Sequence, residues 1–234
     1  GVKSGLTDAQ LRMLVAVQAD GSIQKYDIRF SFVKERKIKR FEELLNDVGL
    51  VANKRTYHRK GRDETIFSIL FSKNNLDFIF ENLENKEFSY KFLNFSYREK
   101  MVVINEIQYW DGTVTVNNDI VFDSVSHKSC DVLATMCVLS GVKAKLSSIR
   151  EGSFSRVYIS KQETLPWISL QGVNVSSCQY SGKIGCVTVP SGMVVVRRNG
   201  KVFVSGNSFN AKAFFPEQTK NFDPNSPTFN KDAQ

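Results

Sequence analysis

The sequence lacks the features of a membrane protein and of a structural zinc site. No apolar run approaches the roughly 20 residues that a membrane-spanning helix needs, and no signal-peptide pattern follows Gly1. Only four cysteines and two histidines are present, and no cysteine pair has the Cys-x-x-Cys spacing. We therefore expect no membrane partner and reduced thiols in the cytoplasm, although four cysteines could in principle form two disulfides. Because residue 1 is Gly rather than Met, we expect a processed, tagged or fragmentary chain.

Positive charge, by contrast, is plentiful and concentrated. The 234 residues are 41% hydrophobic and 24% charged, which is enough apolar material for a core, and the net charge is +8. Residues 25–62 alone contain twelve Lys and Arg against five Asp and Glu, a net charge of +7. Such a cluster is typical of a surface that binds a polyanion. A solvated basic face without a partner is the alternative.

Two segments about 91 residues apart share one plan. Residues 6–23 and 96–114 each have the apolar spacing of a helix that ends at Asp-Gly, at Asp20-Gly21 and at Asp111-Gly112. Gly21 is expected to adopt the left-handed conformation with which helices often end. Each helix also begins with the residues of a capping box, Thr7 with Gln10 and Ser96 with Glu99.

The similarity between the two segments continues beyond these helices. Each Asp-Gly is followed by alternating strand patterns, then by an amphipathic helix that closes on a glycine, then by a further strand. The amphipathic helices are residues 41–52 and 130–144, and the later strands are residues 65–73 and 155–161. The sequence therefore predicts a duplicated αββαβ unit, with repeats at about residues 5–90 and 95–165.

This duplicated plan resembles the LAGLIDADG homing endonucleases in their single-chain form with two motifs. The motifs here are MLVAVQADG (13–21) and INEIQYWDG (104–112). The resemblance implies an α+β fold in which the two motif helices pack side by side at a pseudo-two-fold axis. It also implies a monomer whose two curved antiparallel sheets form a saddle over double-stranded DNA.

The resemblance further implies that the last acid of each motif, here Asp20 and Asp111, binds Mg²⁺ or Mn²⁺. Hard cations such as Mg²⁺ prefer oxygen ligands, and a metal ion can polarise a phosphodiester and activate water. Two carboxylates related by a near-two-fold axis could serve both strands of a duplex. For each aspartate, an ordinary turn residue before glycine is the alternative.

The basic residues of the predicted strands are the candidates for DNA contact. We expect six of them near phosphates: Lys25, Arg29, Lys54, Arg55, Arg59 and Lys60. The resemblance also implies a basic residue near the scissile phosphate, for which Lys73 and Lys161 are weaker candidates. Surface lysines at strand ends are the alternative for these two.

The second motif departs from the small residues that the family usually places between its motif helices. It contains the larger or more polar residues Asn105, Glu106, Tyr109 and Trp110. Such side chains could hold the helices apart or displace Asp111. Cleavage would then be weakened or lost, while DNA binding survives.

The chain changes character after Pro166. Residues 168–208 have the pattern of short strands separated by turns, and Asn199-Gly200 is a strong hairpin signal. The pieces GCVTVPSGMVVV and RRNGKVFVSGN, followed by Ser208, resemble the C-terminal splicing segment of an intein. This second resemblance implies a small all-β Hint segment, and inteins commonly carry a LAGLIDADG endonuclease before it.

The intein resemblance implies a reactive junction. Asn207 would cut the chain by closing a succinimide, and Ser208 would be the acyl acceptor that begins the C-extein. Gly206 stands where the family usually has a helper histidine. Cys186 is a candidate nucleophile or assisting residue, with a buried small hydrophobe as an equal alternative. The remaining cysteines are interpreted as core residues: Cys130, Cys137 and Cys178.

No N-terminal splicing half is recognisable, so we expect that half upstream or as a partner in trans. The predicted domains are residues 1–165 (endonuclease-like), 166–207 (splicing segment) and 208–234 (C-extein). The leading function is an intein-encoded endonuclease that makes metal-dependent double-strand cuts at a specific DNA site, in a microbial or phage-infected cell. The alternatives are a decayed endonuclease that only binds DNA and a stand-alone DNA-binding regulator with a β tail.

Overall fold

The computed structural model describes residues 1–59, 61–148, 154–160, 192–198 and 201–206, with 179, 181 and 189 as isolated positions. The chain divides into two compact units, residues 1–169 and 170–234. The three domains predicted from the sequence stay predictions. Among the described residues, no helix combines the length and the apolar character needed to cross a membrane.

The first repeat is built from two helices and two strand pairs. These elements are α1 (Asp8–Asp20), β1 (Ser22–Ile23), β2 (Asp27–Phe32), α2 (Glu35–Val48), β3 (Asn53–Arg59) and β4 (Arg62–Leu70). The strands form one antiparallel sheet in the order β1-β2-β4-β3. Phe30 and Phe32 on β2 alternate with exposed Arg29 and Ser31, so one face of the sheet is buried and the other is open.

A short folded link connects the repeats. It contains a 3₁₀ turn (Phe71–Lys73), α3 (Asp77–Asn82), the strand pair β5 (Leu83–Glu84) and β6 (Glu87–Phe88), and a second 3₁₀ turn (Tyr90–Asn94). Three of its apolar side chains, Ile79, Phe88 and Phe92, are fully buried in the same core as the repeats. The link is therefore part of the hydrophobic core, which the sequence analysis did not predict.

The second repeat follows the same plan. Its elements are α4 (Tyr97–Glu106), a 3₁₀ turn (Ile107–Tyr109), β7 (Gly112–Val114), β8 (Ile120–Ser124), α5 (His127–Leu139), β9 (Lys143–Ser148) and β10 (Ser155–Ser160). The sheet order is β7-β8-β10-β9, which matches the first repeat strand for strand. Helix α5 packs against β8, β9 and β10, and the buried thiols of Cys130 and Cys137 belong to the core as predicted.

Each repeat is therefore αββαββ, one strand longer than the predicted αββαβ. The missed strands, β3 and β9, each lie at one edge of their sheet. Their sequences, NKRTYHR and KAKLSS, contain too few apolar residues to show the alternation that reveals a half-buried strand. The α+β class and the duplication are as predicted.

Both predicted capping boxes are present, at Thr7 with Gln10 and at Ser96 with Glu99. The predicted left-handed glycine after α1 is wrong, because Gly21 has φ −71° and ψ 144°. A Cβ at Gly21 would lie 2.7 Å from the carbonyl oxygen of Val17, so the close approach of backbone to backbone is what requires glycine. A Cβ at Gly112 would likewise lie 2.7 Å from the carbonyl oxygen of Ile107.

The second unit contains one described strand pair. β11 (Met193–Arg198) and β12 (Lys201–Gly206) are antiparallel, and their register pairs Arg198 with Lys201. Both strands of the predicted hairpin are therefore present. Cys178, Cys186, Asn207 and Ser208 lie outside the described residues, and the Hint segment stays a prediction.

Candidate metal and DNA-binding site

The two motif helices pack side by side and run in the same direction. At their beginnings, Arg98 of α4 donates two hydrogen bonds to the carboxylate of Asp8, at 2.8 and 2.7 Å. At their ends stand Asp20, the last residue of α1, and Asp111, which follows the 3₁₀ turn after α4. The structure therefore brings the ends of both motifs to one place.

The two motif aspartates interact electrostatically. Burial raises the pKa of Asp111, and the negative charge of Asp20 raises it further, because a second charge next to the first is unfavourable. The positive charges of Lys37 and Lys86 act in the opposite direction on the pKa of Asp111. Two carboxylates and two ammonium groups thus share one site.

Lys37 and Lys86 reach this site from different parts of the fold. Lys37, on α2, places its Nζ 2.5 Å from Oδ2 of Asp20 and 6.0 Å from the ring of Trp110. Lys86 has φ 69° at the tip between β5 and β6, and its Nζ donates to the carbonyl oxygen of Ala19 at 3.0 Å.

The sequence analysis missed both lysines. Lys37 lies in the basic segment but could not be told from its exposed neighbours, since only the packing of α2 turns it inward. Lys86 carries no local signal, because the folding of the link between the repeats brings it to the end of α1.

The donor atoms at the site suit a hard divalent cation. Mg²⁺ is usually held by one or two carboxylates and completes its coordination with water and substrate phosphate. Asp20 and Asp111 provide two carboxylates, and among the described residues no cluster of three or more His, Cys, Asp or Glu forms a fuller protein cage. The residues present therefore fit Mg²⁺ or Mn²⁺ that shares its coordination with a phosphate group.

The bulky second motif does not hold the helices apart, contrary to the prediction. Trp110 is only 3% exposed and lies within 5.9 Å of Phe32 and 6.2 Å of Phe41, ring centre to ring centre, in the aromatic core of the first repeat. The helix α4 ends early, at Glu106, and the tighter 3₁₀ turn leads into Trp110. The large side chain thus fills space in the partner repeat instead of separating the helices.

Glu106 joins the repeats through a buried ion network. Its carboxylate accepts hydrogen bonds from Arg12 Nε at 3.2 Å, from Arg40 Nε at 2.9 Å and from Trp110 Nε1 at 2.8 Å. The guanidinium carbon of Arg40 also lies 3.4 Å from the centre of the Tyr109 ring. Side chains from α1 and α2 of the first repeat therefore bind the end of the second motif.

The predicted DNA-contact residues divide between the two faces of the first sheet. Arg29 and Arg55 lie on the open face. Exposed Ser31 of β2 and Arg55 of β3 both pair with Ile66 of β4, so Arg55 is on the same face as Ser31. Lys54 points to the helix side, with its Nζ 2.6 Å from Oε1 of Glu42, and its role in DNA contact stays a prediction.

The remaining candidates are less fully placed. Lys25 is exposed in the turn between β1 and β2. Arg59 lies in β3, but its side chain is outside the described residues, as is all of Lys60.

The open face of the second sheet carries basic residues that the sequence analysis did not single out. On β10, Arg156 and Tyr158 alternate with buried Val157 and Ile159, and Tyr158 pairs with Lys145 of β9. The alternation in β10 is visible in the sequence and could have identified this face.

Of the two weaker lysine candidates, Lys73 does not join the acid pair. Lys73 lines a surface cavity beside Gln10, in the first turn of α1. Ten residues of helix, about 15 Å at 1.5 Å per residue, separate Gln10 from Asp20, so Lys73 is at the wrong end of the motif helix. Lys161 lies outside the described residues.

Comparison with known proteins supports the fold of the first repeat. Residues 9–84 match the family model described as LAGLIDADG-like domain, a range that runs from α1 to the end of β5. Residues 9–84 are therefore similar to a LAGLIDADG-like domain, and the elements described for both repeats form an α+β fold.

The chain is also similar to ribonucleoside-diphosphate reductase subunit beta of Aquifex aeolicus (strain VF5), with 25% identity over 228 residues. The match covers 88% of this chain and 31% of that protein. The chain thus spans about a third of the length of the curated relative that it matches.

Solved structures similar to this chain include I-DmoI in complex with DNA and Mn, at 15% identity and a TM-score of 0.47, covering 65% of this chain and 89% of that one. The N-terminal LAGLIDADG domain of DUF199/WhiA has 10% identity and a TM-score of 0.48, covering 66% and 75%. Full-length DUF199/WhiA from Thermatoga maritima has 14% identity and a TM-score of 0.49, covering 68% and 53%.

Proposed function

We propose that this chain is a DNA endonuclease domain that cuts both strands of a specific duplex site with the help of Mg²⁺ or Mn²⁺. The observation that carries the proposal is the convergence of Asp20 and Asp111 at the ends of paired motif helices, beside Lys37 and Lys86. Two sheets with basic residues on their open faces belong to the same compact unit.

Each group of the site has a defined task in this proposal. Asp20 and Asp111 would hold the divalent ion through their carboxylate oxygens, and the ion would supply Lewis acidity for the phosphodiester. Lys37 and Lys86 place positive charge where a phosphodiester gains negative charge in the transition state. Exposed cations of the open faces such as Arg55 and Lys145 bind the DNA backbone.

The acid pair is tested by removing one negative charge at a time. Asp20→Asn and Asp111→Asn should each abolish double-strand cleavage of the cognate site and leave DNA binding measurable. Lys73→Gln, a change at the far end of α1, serves as the matched control and should cleave normally. Cleavage that persists in EDTA, or in the double Asn variant, would refute the metal role.

DNA binding is tested through its dependence on salt. Each phosphate that a cationic side chain neutralises releases counterions, so the affinity should fall steeply between low and physiological salt. The charge variant Arg55→Gln should reduce the slope of log affinity against log salt by about one. An affinity that does not change with salt would be incompatible with the proposal.

A decayed endonuclease that binds DNA without cutting is the second candidate function. The hydrogen bond at 2.5 Å between Lys37 and Asp20 favours it, because a metal ion must compete with that ammonium group for the carboxylate. Specific binding without cleavage in either Mg²⁺ or Mn²⁺ would select this candidate.

We also propose that the endonuclease domain belongs to an intein whose splice junction is Asn207–Ser208. The match to a ribonucleotide reductase subunit supports this, because it covers 88% of the chain and so includes most of the LAGLIDADG-like segment. An endonuclease-like domain that lies within a protein named for an unrelated enzyme is expected if the domain is an insertion in a host protein.

The splicing proposal is tested by adding a matching N-terminal intein half. Residues 208–234 should then be released joined to the new N-extein, and Asn207→Ala should block the release without changing DNA binding. A Cys186→Ala variant reports whether that thiol assists. Mass spectrometry that finds undiminished release in Asn207→Ala, or cleavage at another bond, would contradict the assignment.

A further inference from the structure

Each of the two sheets carries on its open face an arginine that an aspartate of the same sheet holds in place. In the second sheet, Arg156 Nε lies 2.6 Å from Oδ1 of Asp123 and Arg156 Nη2 lies 2.8 Å from Oδ2. In the first sheet, Arg29 Nε lies 2.8 Å from Oδ2 of Asp27. Both guanidinium groups remain accessible, with side chains 31% and 59% exposed.

The geometry of these pairs leaves a defined set of donors for a ligand. A guanidinium has five N–H groups, and Asp123 takes the Nε–H and one Nη2–H of Arg156. The outer edge of Arg156, from Nη1 to Nη2, keeps its donors, apart from a long contact of 3.4 Å with the Tyr158 hydroxyl. The outer edge of Arg29 is likewise directed away from Asp27, which contacts only Nε.

The charge of each pair argues against a phosphate ligand. An arginine bonded to a carboxylate forms a pair with little net charge, which attracts a phosphate weakly. Exposed cations such as Arg55 and Lys145, which have no carboxylate partner among the described residues, are better suited to phosphates. A neutral pair with a rigid fork of two donors suits a ligand with two fixed acceptors.

Guanine presents such acceptors in duplex DNA. Its O6 and N7 atoms face the major groove, which is wide enough for a two-stranded β ribbon, and arginine binds both atoms with two N–H groups. We infer that Arg29 and Arg156 each recognise a guanine in the major groove, one in each half of the target site. Asp27 and Asp123 are positioning residues that fix the orientation of these forks.

This inference rests on the proposed DNA binding and deepens it, because it assigns two bases of the target. The full chain is incubated in EDTA with a duplex library that has a randomised core, and the bound sequences are read. The wild-type protein should enrich at least two guanine positions, and each is then measured with all four bases.

The variants separate base recognition from charge. Arg156→Lys keeps the charge but not the fork, so the preference for guanine at one position should fall by roughly 5- to 150-fold, the span of one bidentate contact. Affinity for unrelated duplex should stay within about threefold, since the number of phosphate contacts is unchanged. Asp123→Asn should relax the same position, and Arg29→Lys and Asp27→Asn should relax the other.

Lys145→Gln, on the same open face, is the matched control and should weaken binding equally for all sequences, with a salt slope lower by about one. The inference is overturned if the Arg variants leave all base preferences intact, or if they weaken binding uniformly as the Lys145 variant does. A wild-type chain that binds no duplex at all would instead refute the proposed function, which distinguishes the two failures.

Discussion

Glu99 connects the start of the chain to the start of the second motif helix. It is 5% exposed, and its carboxylate accepts hydrogen bonds from the backbone and hydroxyl of both Ser4 and Ser96. Burial raises the pKa of Glu99, but the hydrogen bonds from Ser96 and Ser4 outweigh burial and lower the pKa to about 2. One carboxylate thus completes a helix cap and anchors the N-terminal segment.

The lowered pKa makes a prediction about acid stability. Because Glu99 binds its proton less readily in the folded protein, it stabilises the fold above its ordinary pKa of 4.5, and this contribution is lost as the pH falls towards about 2. Glu99→Gln should lower the free energy of unfolding at neutral pH by about 1–3 kcal/mol, and the difference should disappear in acid. Urea denaturation across this pH range measures it, with exposed Glu35→Gln as the control.

Asp20 and Asp111 should have opposite effects on stability. The pKa of Asp111 is raised in the folded state by burial and by Asp20, so its ionised form destabilises the fold at neutral pH. In EDTA, Asp111→Asn should therefore be at least as stable as the wild type, with a gain that shrinks as acid protonates Asp111. Asp20→Asn should instead lose about 1 kcal/mol, because Lys37 loses the negative charge of its partner. Equal losses in both variants by thermal denaturation would contradict this account.

The ends of the motif helices depend on close backbone packing. Gly21 stands where a Cβ would meet the carbonyl of Val17, whereas Gly49, at the end of α2, has φ 77° and open space around it. Asparagine tolerates the left-handed conformation but not a clash with backbone.

Two matched substitutions should separate these requirements. Gly49→Asn should cost little stability, since a left-handed residue at a helix end is often asparagine. Gly21→Asn should be markedly destabilising and should also displace Asp20 from Asp111. Thermal unfolding measures the loss of stability. The displacement of Asp20 from Asp111 should appear as a weaker enhancement of the luminescence of bound Tb³⁺. Equal effects of the two substitutions would show that conformation rather than packing matters at Gly21.

The elements that were predicted from the sequence are those whose signals are local. The capping boxes at Thr7 and Ser96 and the apolar spacing of α1 and α4 are each contained within a few residues, and they gave the motif helices and the duplication. The strands β3 and β9 were missed because their sequences, NKRTYHR and KAKLSS, contain few apolar residues.

The candidate site could be predicted only in part, for a related reason. Asp20 and Asp111 follow recognisable helices, whereas Lys37 and Lys86 reach them through tertiary packing that no local pattern encodes. The charge of Lys54 likewise did not reveal that its place in the alternation of β3 turns it towards Glu42.

At the scale of the whole molecule, the repeats are joined by the network around Glu106. Its side chain is 4% exposed and lies against Arg12 and Arg40 of the other repeat, whose side chains are 24% and 21% exposed. Removing one partner of a buried ion pair typically costs 3–5 kcal/mol, because the remaining charge is left uncompensated.

Glu106→Ala should therefore destabilise the first compact unit by about 3 kcal/mol or more. Glu106→Gln, which can still accept from Trp110, should cost less. The exposed pair of Glu35 with Lys39 provides the comparison, and Glu35→Ala should change stability by less than about 0.5 kcal/mol. Urea unfolding followed by circular dichroism gives these differences, and similar losses at both glutamates would contradict the buried network.

Trp110 makes the contact between the two repeats asymmetric. When a repeat pairs with an identical copy, both sides of the contact are the same. Here the second repeat supplies Trp110 and Glu106, and the first repeat supplies the aromatic core and the arginines that contact them. Neither copy carries both halves of this exchange. The two repeats are therefore not interchangeable, because a chain built from two copies of either repeat would lack one side of this contact.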